Sequence, residues 1–320
     1  MITTYAIVHF WPLGGGFRKR MEMLTGALGS KGRVLRIRTL EAMLRLARSR
    51  RLRAGQVAVL VYTSLLAPMV ALLRLIRPAA PVYYMVRGDE ITCARYAGRR
   101  LRAWVAGRFQ KMLAAVGCRF VFASEDLQQA FLERLGAIAR RCVLPNTLGR
   151  PLPPIRPFDG RVALVGDFGS VKNIEAVLAG LSGGEFHVHL YGNRSLPPQW
   201  ARPWLHSHGP VEDVPARLRD CTLLVLSSLS EGFPNVLVEA LQAGCGVVAH
   251  RDFPFRRLPL SPAWRFRLDG HGEDLRQVLS RLRRQRRDFK ADNQALVRLV
   301  ESDWNRRVRE VFQAAGGRAA

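Results

Sequence analysis

Two carboxylates eight positions apart, Glu231 and Glu239, bracket a Gly-Phe-Pro turn and the start of an apolar helix. A proline in the first helical turn costs little, because its missing N–H would have no partner there. The N–H groups at such a helix start can hold an anion such as a diphosphate. Glu239 lies more than one turn further into the helix, so it can contact a different part of the same ligand than Glu231. The spacing therefore predicts a site for an anionic ligand.

Apolar runs on both sides of this stretch predict the elements that would position it. Leu223–Ser227 before it is typical of a buried strand, and Gly246–Ala249 after it predicts the next strand. A strand–loop–helix–strand unit with acids in the loop and on the helix is typical of a ligand site at the edge of a parallel sheet.

Short apolar strands alternate with helical patterns along the whole chain, which favours doubly wound parallel sheets. The other predicted strands are Tyr5–Phe10, Arg33–Arg38, Val57–Tyr62, Pro81–Val86, Arg119–Ala123, Arg141–Leu144, Arg161–Val165 and Phe186–Tyr191. Helices are predicted at Pro68–Ile76 and Ala94–Val116.

A segment with four prolines in eight residues, 150–157, divides the chain near its middle. We expect one Rossmann-like domain over residues 1–150 and a second over 151–302, with a ligand cleft at the carboxyl ends of both sheets. Residues 303–320 carry an apolar stripe at helical spacing. We expect that last helix to pack on the body of the protein or to cross back to the first domain.

The net charge of +25 is concentrated in the first half. Residues 1–150 hold 26 Lys and Arg against 7 Asp and Glu, whereas residues 151–320 hold 24 against 18. This asymmetry predicts a polyanionic partner for the first half, such as lipid headgroups, a phosphorylated substrate or nucleic acid. Arg outnumbers Lys 45 to 5, so part of the basicity is also explained by a codon bias toward Arg. No motif that reads nucleic acid accompanies the charge, so we expect no specific nucleic-acid partner.

Cysteine usage and hydropathy favour a cytoplasmic protein. Five cysteines are scattered without paired spacing, which predicts buried thiols in a reducing compartment and neither a disulfide framework nor a zinc site. The uncharged and mostly apolar stretch Val57–Leu73 is 17 residues long and is interrupted by Pro68. It is short for a bilayer span, so we expect a strand, a loop and a helix there. No signal peptide is expected.

The second half resembles the donor-binding domain of family 4 glycosyltransferases, among the group 1 glycosyltransferases, and the first half matches more loosely. The motifs of the second half are Val165-Gly166 followed by Lys172-Asn173, Leu190-Tyr191-Gly192, Gly209-Pro210-Val211, and the Glu231–Glu239 pair with the Ala-Gly turn that follows it. Those of the first half are Gly14-Gly15-Gly16, Ala123-Ser124-Glu125 and Leu144-Pro145-Asn146-Thr147.

The resemblance implies an α/β GT-B fold, with two Rossmann-like doubly wound domains facing a cleft, the acceptor on the first and the nucleotide-sugar on the second. It implies a retaining transferase in polysaccharide or lipopolysaccharide biosynthesis. This enzyme would move a sugar from a nucleotide-sugar to a cell-envelope glycan or a lipid-linked precursor. No metal and no cofactor besides the donor substrate is implied. A non-catalytic or degenerate GT-B partner subunit or binding protein is the alternative.

The resemblance also implies roles for particular residues. Lys172 would neutralise the donor diphosphate, Glu231 would contact the transferred sugar, and Glu239 would accept hydrogen bonds from the ribose hydroxyls. The implied donor-binding residues are Gly14, Gly15, Gly16, Gly192, Val211, Gly232, Phe233, Asn235, Val236 and Glu239.

Two segments depart from the family's pattern. Asp167 follows Gly166 where many members carry an arginine, and Arg194 could supply the missing charge. In the first half, Arg87 and Asp89 lie where members often have a histidine loop. Arg87 would stabilise the departing diphosphate and Asp89 would orient an acceptor hydroxyl. The catalytic candidates are Glu231, Lys172, Arg87 and Asp89.

The predicted helix Ala94–Val116 is amphipathic and rich in arginine. Such a segment suits docking to an anionic membrane surface, although an ordinary domain helix with a charged outer face fits the pattern equally well. Docking would make the protein peripheral at the inner face of the cytoplasmic membrane, with a lipid-linked glycan as acceptor. Its basic residues are Arg95, Arg99, Arg100, Arg102, Arg108 and Lys111, and its apolar ones include Leu101, Trp104, Val105, Phe109, Met112 and Leu113.

Overall fold

The computed structural model describes residues 4–8, 23–28, 33–53, 56–148, 151–166, 171–182, 185–192, 198–267 and 273–313. They divide into two compact units, Met1–Pro145 with Trp304–Ala320, and Asn146–Asp303. Each unit contains a six-stranded sheet in which the paired strands are parallel. The predicted α/β class with two doubly wound sheets is confirmed.

The first unit arranges its strands in the order β2-β1-β3-β4-β5-β6. Its strands are β1 Thr4–Val8, β2 Arg33–Ile37, β3 Val57–Val61, β4 Val82–Val86, β5 Arg119–Phe122 and β6 Arg141–Val143. Its helices are α1 (23–28), α2 Leu40–Arg48, α3 Arg50–Arg53, α4 Ala67–Ile76, α5 Glu90–Tyr96, α6 Arg100–Ala115, α7 Glu125–Leu135 and the C-terminal α13 Trp304–Gln313. Strands β1, β3 and β4 are buried along their whole length, which explains their continuous apolar sequences.

Helix α13 completes the core of the first unit. Its apolar stripe packs against core residues of β1, β3 and β4. The Phe312 ring lies 4.8 Å from the Tyr83 ring and 6.0 Å from the Tyr5 ring, measured between centroids. The stripe consists of Trp304, Val308, Val311 and Phe312.

The second unit arranges its strands in the order β12-β11-β10-β7-β8-β9. Its strands are β7 Arg161–Val165, β8 His187–Tyr191, β9 Leu205–Gly209, β10 Leu223–Leu226, β11 Gly246–His250 and β12 Arg265–Phe266. Its helices are α8 Ile174–Gly180, α9 Val214–Leu218, α10 Asn235–Gln242, α11 Glu273–Arg284 and α12 Arg286–Val300. The sequence predicts neither β9 nor β12, because β9 buries only Leu205 and β12 has two residues.

Strand β9 brings two histidines beside two others on β8. The ring nitrogens His189 Nδ1 and His208 Nε2 lie 3.0 Å apart, and His187 Nδ1 and His206 Nε2 lie 3.4 Å apart. The His208 ring also stacks on Tyr191, with centroids 4.6 Å apart. These residues form one face of an edge strand pair, so the histidines have a packing role.

The predicted helix Ala94–Val116 is wrong as a single element, because α5 ends at Tyr96 and α6 begins at Arg100. Gly98 has φ +69°. Its N–H donates to Arg95 O at 2.9 Å, and the Arg99 N–H donates to Ala94 O at 2.8 Å. This is the Schellman arrangement, in which a left-handed glycine ends a helix. The chain therefore turns between α5 and α6.

Among the described residues, no helix is long and apolar enough to cross a membrane. The uncharged stretch Val57–Leu73 forms β3, a short 3-10 turn at Ser64–Leu66 and most of α4, as predicted.

The described cysteines agree only in part with the prediction of buried thiols, because Cys93 and Cys142 are half-buried. Cys118, Cys221 and Cys245 are buried, and no disulfide joins any of the described cysteines. Burial raises the pKa of Cys118 and Cys221 to about 12 and that of Cys245 to about 11. These three thiols therefore stay protonated at neutral pH.

Candidate functional site

The site candidates of the second unit surround the point where the strand order of its sheet reverses. Strand β7 lies between β8 and β10, so the chain crosses from one side of β7 to the other. Open α/β sheets bind ligands at such a switch point. Within these two fully described strands, β10 pairs with β7 only at Leu223 and Leu224, although β10 continues to Leu226. The carboxyl ends of β7 and β10 are therefore not paired with each other.

Two hydrogen bonds fasten the loop after β7 to the loop after β10. The Leu229 N–H donates to Val171 O at 2.7 Å, and the Ser227 hydroxyl donates to Lys172 O at 2.7 Å. The backbone of Lys172 is thereby fixed beside the β10 loop. Its Nζ donates a hydrogen bond to Glu231 Oε1. The structure thus brings together the two second-unit residues that the sequence analysis named as catalytic candidates.

The Lys172–Glu231 ion pair is accessible from solvent on the lysine side, since the side chains are 36% and 17% exposed respectively. An ammonium carries three N–H donors, so Lys172 can hold the carboxylate and a phosphate oxygen at the same time. A compact cation near a helix start suits a diphosphate. The pair can therefore receive an anion without first breaking apart.

Helix α10 begins directly after the Gly-Phe-Pro turn. Pro234 occupies the N-cap position, one residue before the helix, and its own side chain makes no capping hydrogen bond. The Asn146 amide donates to Phe233 O at 3.1 Å and to Asn235 Oδ1. The Phe233 ring packs on Phe255, with centroids 5.2 Å apart. The turn is held by these contacts, and the positive end of the α10 dipole lies at the carboxyl edge of the sheet.

Three glycines lie at the carboxyl ends of the neighbouring strands β7, β8 and β9. Gly166, Gly192 and Gly209 have φ values of +147°, +110° and +67°. A Cβ on Gly192 would lie 3.3 Å from the Gly166 backbone, and one on Gly166 would lie 3.1 Å from Lys172 Cγ. The bare backbone lets the Lys172 stem cross the end of β7.

The remaining donor-binding candidates of the second unit lie on the same elements. Gly232 is buried in the turn before α10, Val236 is half-buried in its first turn, and Glu239 is 9% exposed further along. Val211 follows β9 and is half-buried. Their contacts with a ligand stay predictions.

Several residues named from the sequence lie outside the described residues. They are Gly14, Gly15, Gly16, Asp167 and Arg194. Among the described residues, no group of three or more His, Cys, Asp or Glu side chains could hold a metal ion. Independence from metal stays a prediction.

In the first unit, Arg87 lines a cavity of about 360 Å³ at the carboxyl ends of β3 and β4, together with Tyr62, Tyr84 and Glu90. Arg87 Nη1 donates to Leu144 O at 3.2 Å. Its Nε and Nη2 are buried and have no hydrogen-bond partner among the described residues. Burial lowers the pKa of this guanidinium. An incompletely paired buried cation beside a cavity is suited to bind an anionic group.

Asp89 has structural partners on two elements. Its carboxylate caps α5 by accepting from the Ile91 N–H at 3.2 Å and the Thr92 N–H at 3.4 Å. Arg134 Nη1 donates to both carboxylate oxygens, at 2.7 and 2.8 Å. The sequence analysis does not predict this structural role, and the catalytic role of Asp89 stays a prediction.

Glu90 and Asn146 are site residues that the sequence analysis did not select. Glu90 accepts from the Ser64 N–H at 3.2 Å and from the Tyr84 hydroxyl at 3.3 Å, beside the first-unit cavity. Asn146 lies in the quoted Leu-Pro-Asn-Thr motif, which was the signal available for it.

Comparison with protein families gives a match within the second unit. Residues 162–255 match the family described as glycosyl transferases group 1, a range that contains Lys172, Glu231 and Glu239. This part of unit 2 is therefore similar to group 1 glycosyl transferases. Comparison with curated proteins gave no match.

Solved structures extend the likeness to both units of this chain. Sucrose-phosphate synthase from Thermosynechococcus elongatus aligns with a TM-score of 0.72 at 14% identity over 98% of each chain. Anabaena HepE, solved with UDP and glucose, gives 0.71 at 13% identity over 98% of this chain and 99% of HepE. TarM, known from S. aureus, gives 0.69 at 12% identity over 87% of this chain. The chain spans 58% of the length of TarM. At these identities the likeness establishes the fold, which is GT-B.

Proposed function

We propose that this chain transfers a sugar from a nucleotide-sugar to a cell-envelope glycan or to its lipid-linked precursor, with retention of configuration and without a metal ion. The observation that carries the proposal is the Lys172–Glu231 contact at the switch point, beside the start of α10. The group 1 glycosyltransferase match over residues 162–255 supports the same reaction class.

Different parts of the nucleotide-sugar are proposed to contact different residues of the second unit. Lys172 and the first N–H groups of α10 would hold the diphosphate, since both are positive in character. Glu231 would accept from a hydroxyl of the transferred sugar, and Glu239 from the ribose. The glycines that end β7 and β8 would leave space for the base. The structure of HepE with UDP and glucose supports a donor of this kind.

Metal independence is supported by the charges that the protein itself supplies. A departing diphosphate must be stabilised by cations or by oriented N–H dipoles. Lys172 and the α10 start provide both within the second unit. Retention is proposed from the family resemblance alone.

The acceptor side is proposed to take an anionic group. The cavity beside Arg87 is also lined by Arg99 and Arg102, and Glu90 is its carboxylate. Three guanidinium groups favour an acceptor that carries a phosphate or a carboxylate. A lipid-linked glycan has such a phosphate, and its use would bring the reaction to the inner face of the cytoplasmic membrane.

Thermal unfolding with a panel of nucleoside diphosphates and nucleotide-sugars tests the donor site, because a ligand that binds the folded state raises Tm. We expect one nucleotide to raise Tm in the parent chain and in Lys290→Met, an exposed lysine on α12. Lys172→Met should lose the shift. If no nucleotide raises Tm, the donor assignment is wrong.

Turnover tests the reaction itself. The nucleotide that raises Tm is incubated as its sugar conjugate together with lipid-linked glycan acceptors, with and without EDTA, and nucleotide release and product configuration are followed by NMR. We expect release in both conditions and a retained anomeric centre. Binding without any release would instead favour the non-catalytic GT-B partner subunit.

A further inference from the structure

Every exposed large apolar side chain in the described residues lies on three consecutive helices of the first unit. Leu75 is 80% exposed, Leu101 is 74% exposed and Trp104 is 63% exposed. Helix α6 packs against both α4 and α5, so these side chains belong to one layer of the unit. We call this layer the α4–α6 face. The complete set is Leu72, Leu75, Ile76, Tyr96, Leu101 and Trp104.

The exposed apolar side chains of this face do not contribute to the hydrophobic core of the unit. Other residues of the same helices pack into that core. Val70 and Leu73 of α4 are buried, as are Ala106 and Leu113 of α6. The outward apolar residues are therefore additional to the packing that folds the unit. Clustered exposed apolar side chains mark interaction surfaces in folded proteins.

The charges around the α4–α6 face are of one sign. Residues 67–116, all of them described, contain two acids, and both bind within the unit, Asp89 to Arg134 and Glu90 to Ser64. The Arg108 guanidinium lies 5.6 Å from the centroid of the Trp104 ring. The exposed cations of this segment are Arg95, Arg99, Arg100, Arg102, Arg108 and Lys111.

We propose that the α4–α6 face docks on an anionic lipid bilayer. Trp104 and Leu101 would enter the headgroup region, because amphipathic aromatic and aliphatic side chains favour that depth. The surrounding cations would lie against the lipid phosphates. A second copy of this chain would present the same cations and would be repelled, which disfavours self-association through this face.

This inference does not depend on the nucleotide-sugar site, because membrane binding can be measured without turnover. Sedimentation with vesicles of phosphatidylcholine, alone or mixed with phosphatidylglycerol, is the first measurement. We expect binding to the mixed vesicles and little to the neutral ones. Emission from Trp104 should shift to shorter wavelength with mixed vesicles, and Trp104→Gln should remove that change.

Two triple variants separate the apolar and the charged contributions. Leu75→Gln/Leu101→Gln/Trp104→Gln and Arg95→Gln/Arg108→Gln/Lys111→Gln should each weaken partitioning by about tenfold or more. None of these residues lines the cavity beside Arg87. All six are exposed, so Tm should remain near that of the parent chain, and it is measured for each variant.

A matched control removes the same charge elsewhere. Arg284→Gln/Arg286→Gln/Arg287→Gln alters exposed arginines around the α11–α12 junction, where no described large apolar side chain is exposed. We expect partitioning within about twofold of the parent chain. The proposal is overturned if this control binds as weakly as the first-unit charge variant, if neutral vesicles bind equally well, or if an acidic protein binds this face while vesicles do not.

Discussion

Lys172 donates a hydrogen bond to Glu231 across the point where β7 and β10 stop pairing. The two residues lie 59 positions apart in sequence, and two loop-to-loop hydrogen bonds bring them together. Without a ligand, each side chain neutralises the other. A bound diphosphate would also accept a hydrogen bond from the Lys172 ammonium, and this would weaken the hydrogen bond from Lys172 to Glu231. The carboxylate would then be able to accept from a sugar hydroxyl, so the contact couples phosphate binding to sugar binding.

Removing the ammonium should reduce donor use. We expect Lys172→Met to lower kcat/KM by about 10- to 100-fold, the usual size of a lost hydrogen bond to a charged group. Lys290→Met on α12 is the control and should leave kcat/KM unchanged. Steady-state kinetics over a range of donor concentrations measures both. Equal kinetics for the two variants would remove Lys172 from the site.

Substituting Glu231, the ion-pair partner of Lys172, tests whether the two residues have separate roles. Glu231 is 17% exposed, so Lys172→Met leaves a partly buried charge without its cation and should lower Tm. Adding Glu231→Gln should restore much of the Tm but none of the activity. Thermal unfolding of the single and double variants measures this. Recovery of activity in the double variant would show that Lys172 serves only to neutralise Glu231.

The bare backbone at the end of β8 should not tolerate a side chain. Gly192 has φ +110°, and an added Cβ would lie 3.3 Å from the Gly166 backbone. We expect Gly192→Ala to destabilise the fold by about 1–2 kcal/mol, because this conformation is strained for other residues. Gly26→Ala is the control, since nothing lies within 4 Å of its Cβ. Denaturant unfolding that gives equal stabilities would contradict this reading.

The buried strands were predictable because their sequences are continuous apolar runs. Predicted β3 and β10 differ from the observed strands by one residue at their carboxyl ends. Strand β9 was not predictable in this way, because His206 and His208 interrupt any apolar period. The break at Gly98 was also missed, since a single glycine does not by itself end a helical pattern.

The candidate site was predictable only where a motif marked it. Lys172 and Glu231 were named together from the family resemblance, and the structure brings them into contact. The link from Asn146 to Phe233 spans 87 positions and follows no periodicity. The partners of Asp89 are equally hidden, because Arg134 lies on a different helix. Contacts of this kind depend on the folded chain and not on local pattern.

Substitutions at Arg87 and Asp89 should affect turnover and stability to different extents. We expect Asp89→Ala to destabilise the chain by about 1–3 kcal/mol, since it removes the α5 cap and an ion pair that is largely shielded from solvent. Arg87→Met should cost little stability, because two of its nitrogens have no partner among the described residues, but it should lower turnover.

Denaturant unfolding and kinetics on both variants measure this difference. Glu41→Gln is the control, since its ion pair with Arg45 on α2 is more than 70% exposed on both sides and contributes little. A stable Asp89→Ala variant without activity would instead favour the catalytic role of Asp89.

The paired histidines of β8 and β9 should make stability depend on pH. Burial, with the nearby His206 and His208, lowers the pKa of His189 to about 4, and burial lowers the pKa of His208 as well. A histidine in the unfolded chain has a pKa near its usual 6.5. Between these values the unfolded chain binds more protons than the folded one, so stability should fall as pH falls from about 6.5 to about 4.

Substituting His189 should reduce that pH dependence. Denaturant unfolding at several pH values between 4 and 7 gives the slope of the unfolding free energy, and His189→Gln should flatten it. Some slope should remain, because burial also lowers the pKa of His250, which donates to Ser228 O at 2.9 Å. His189→Gln should also lose the 3.0 Å contact with His208 and so lower stability at pH 7. An unchanged slope would mean that His189 binds its proton as readily in the folded chain as in the unfolded one.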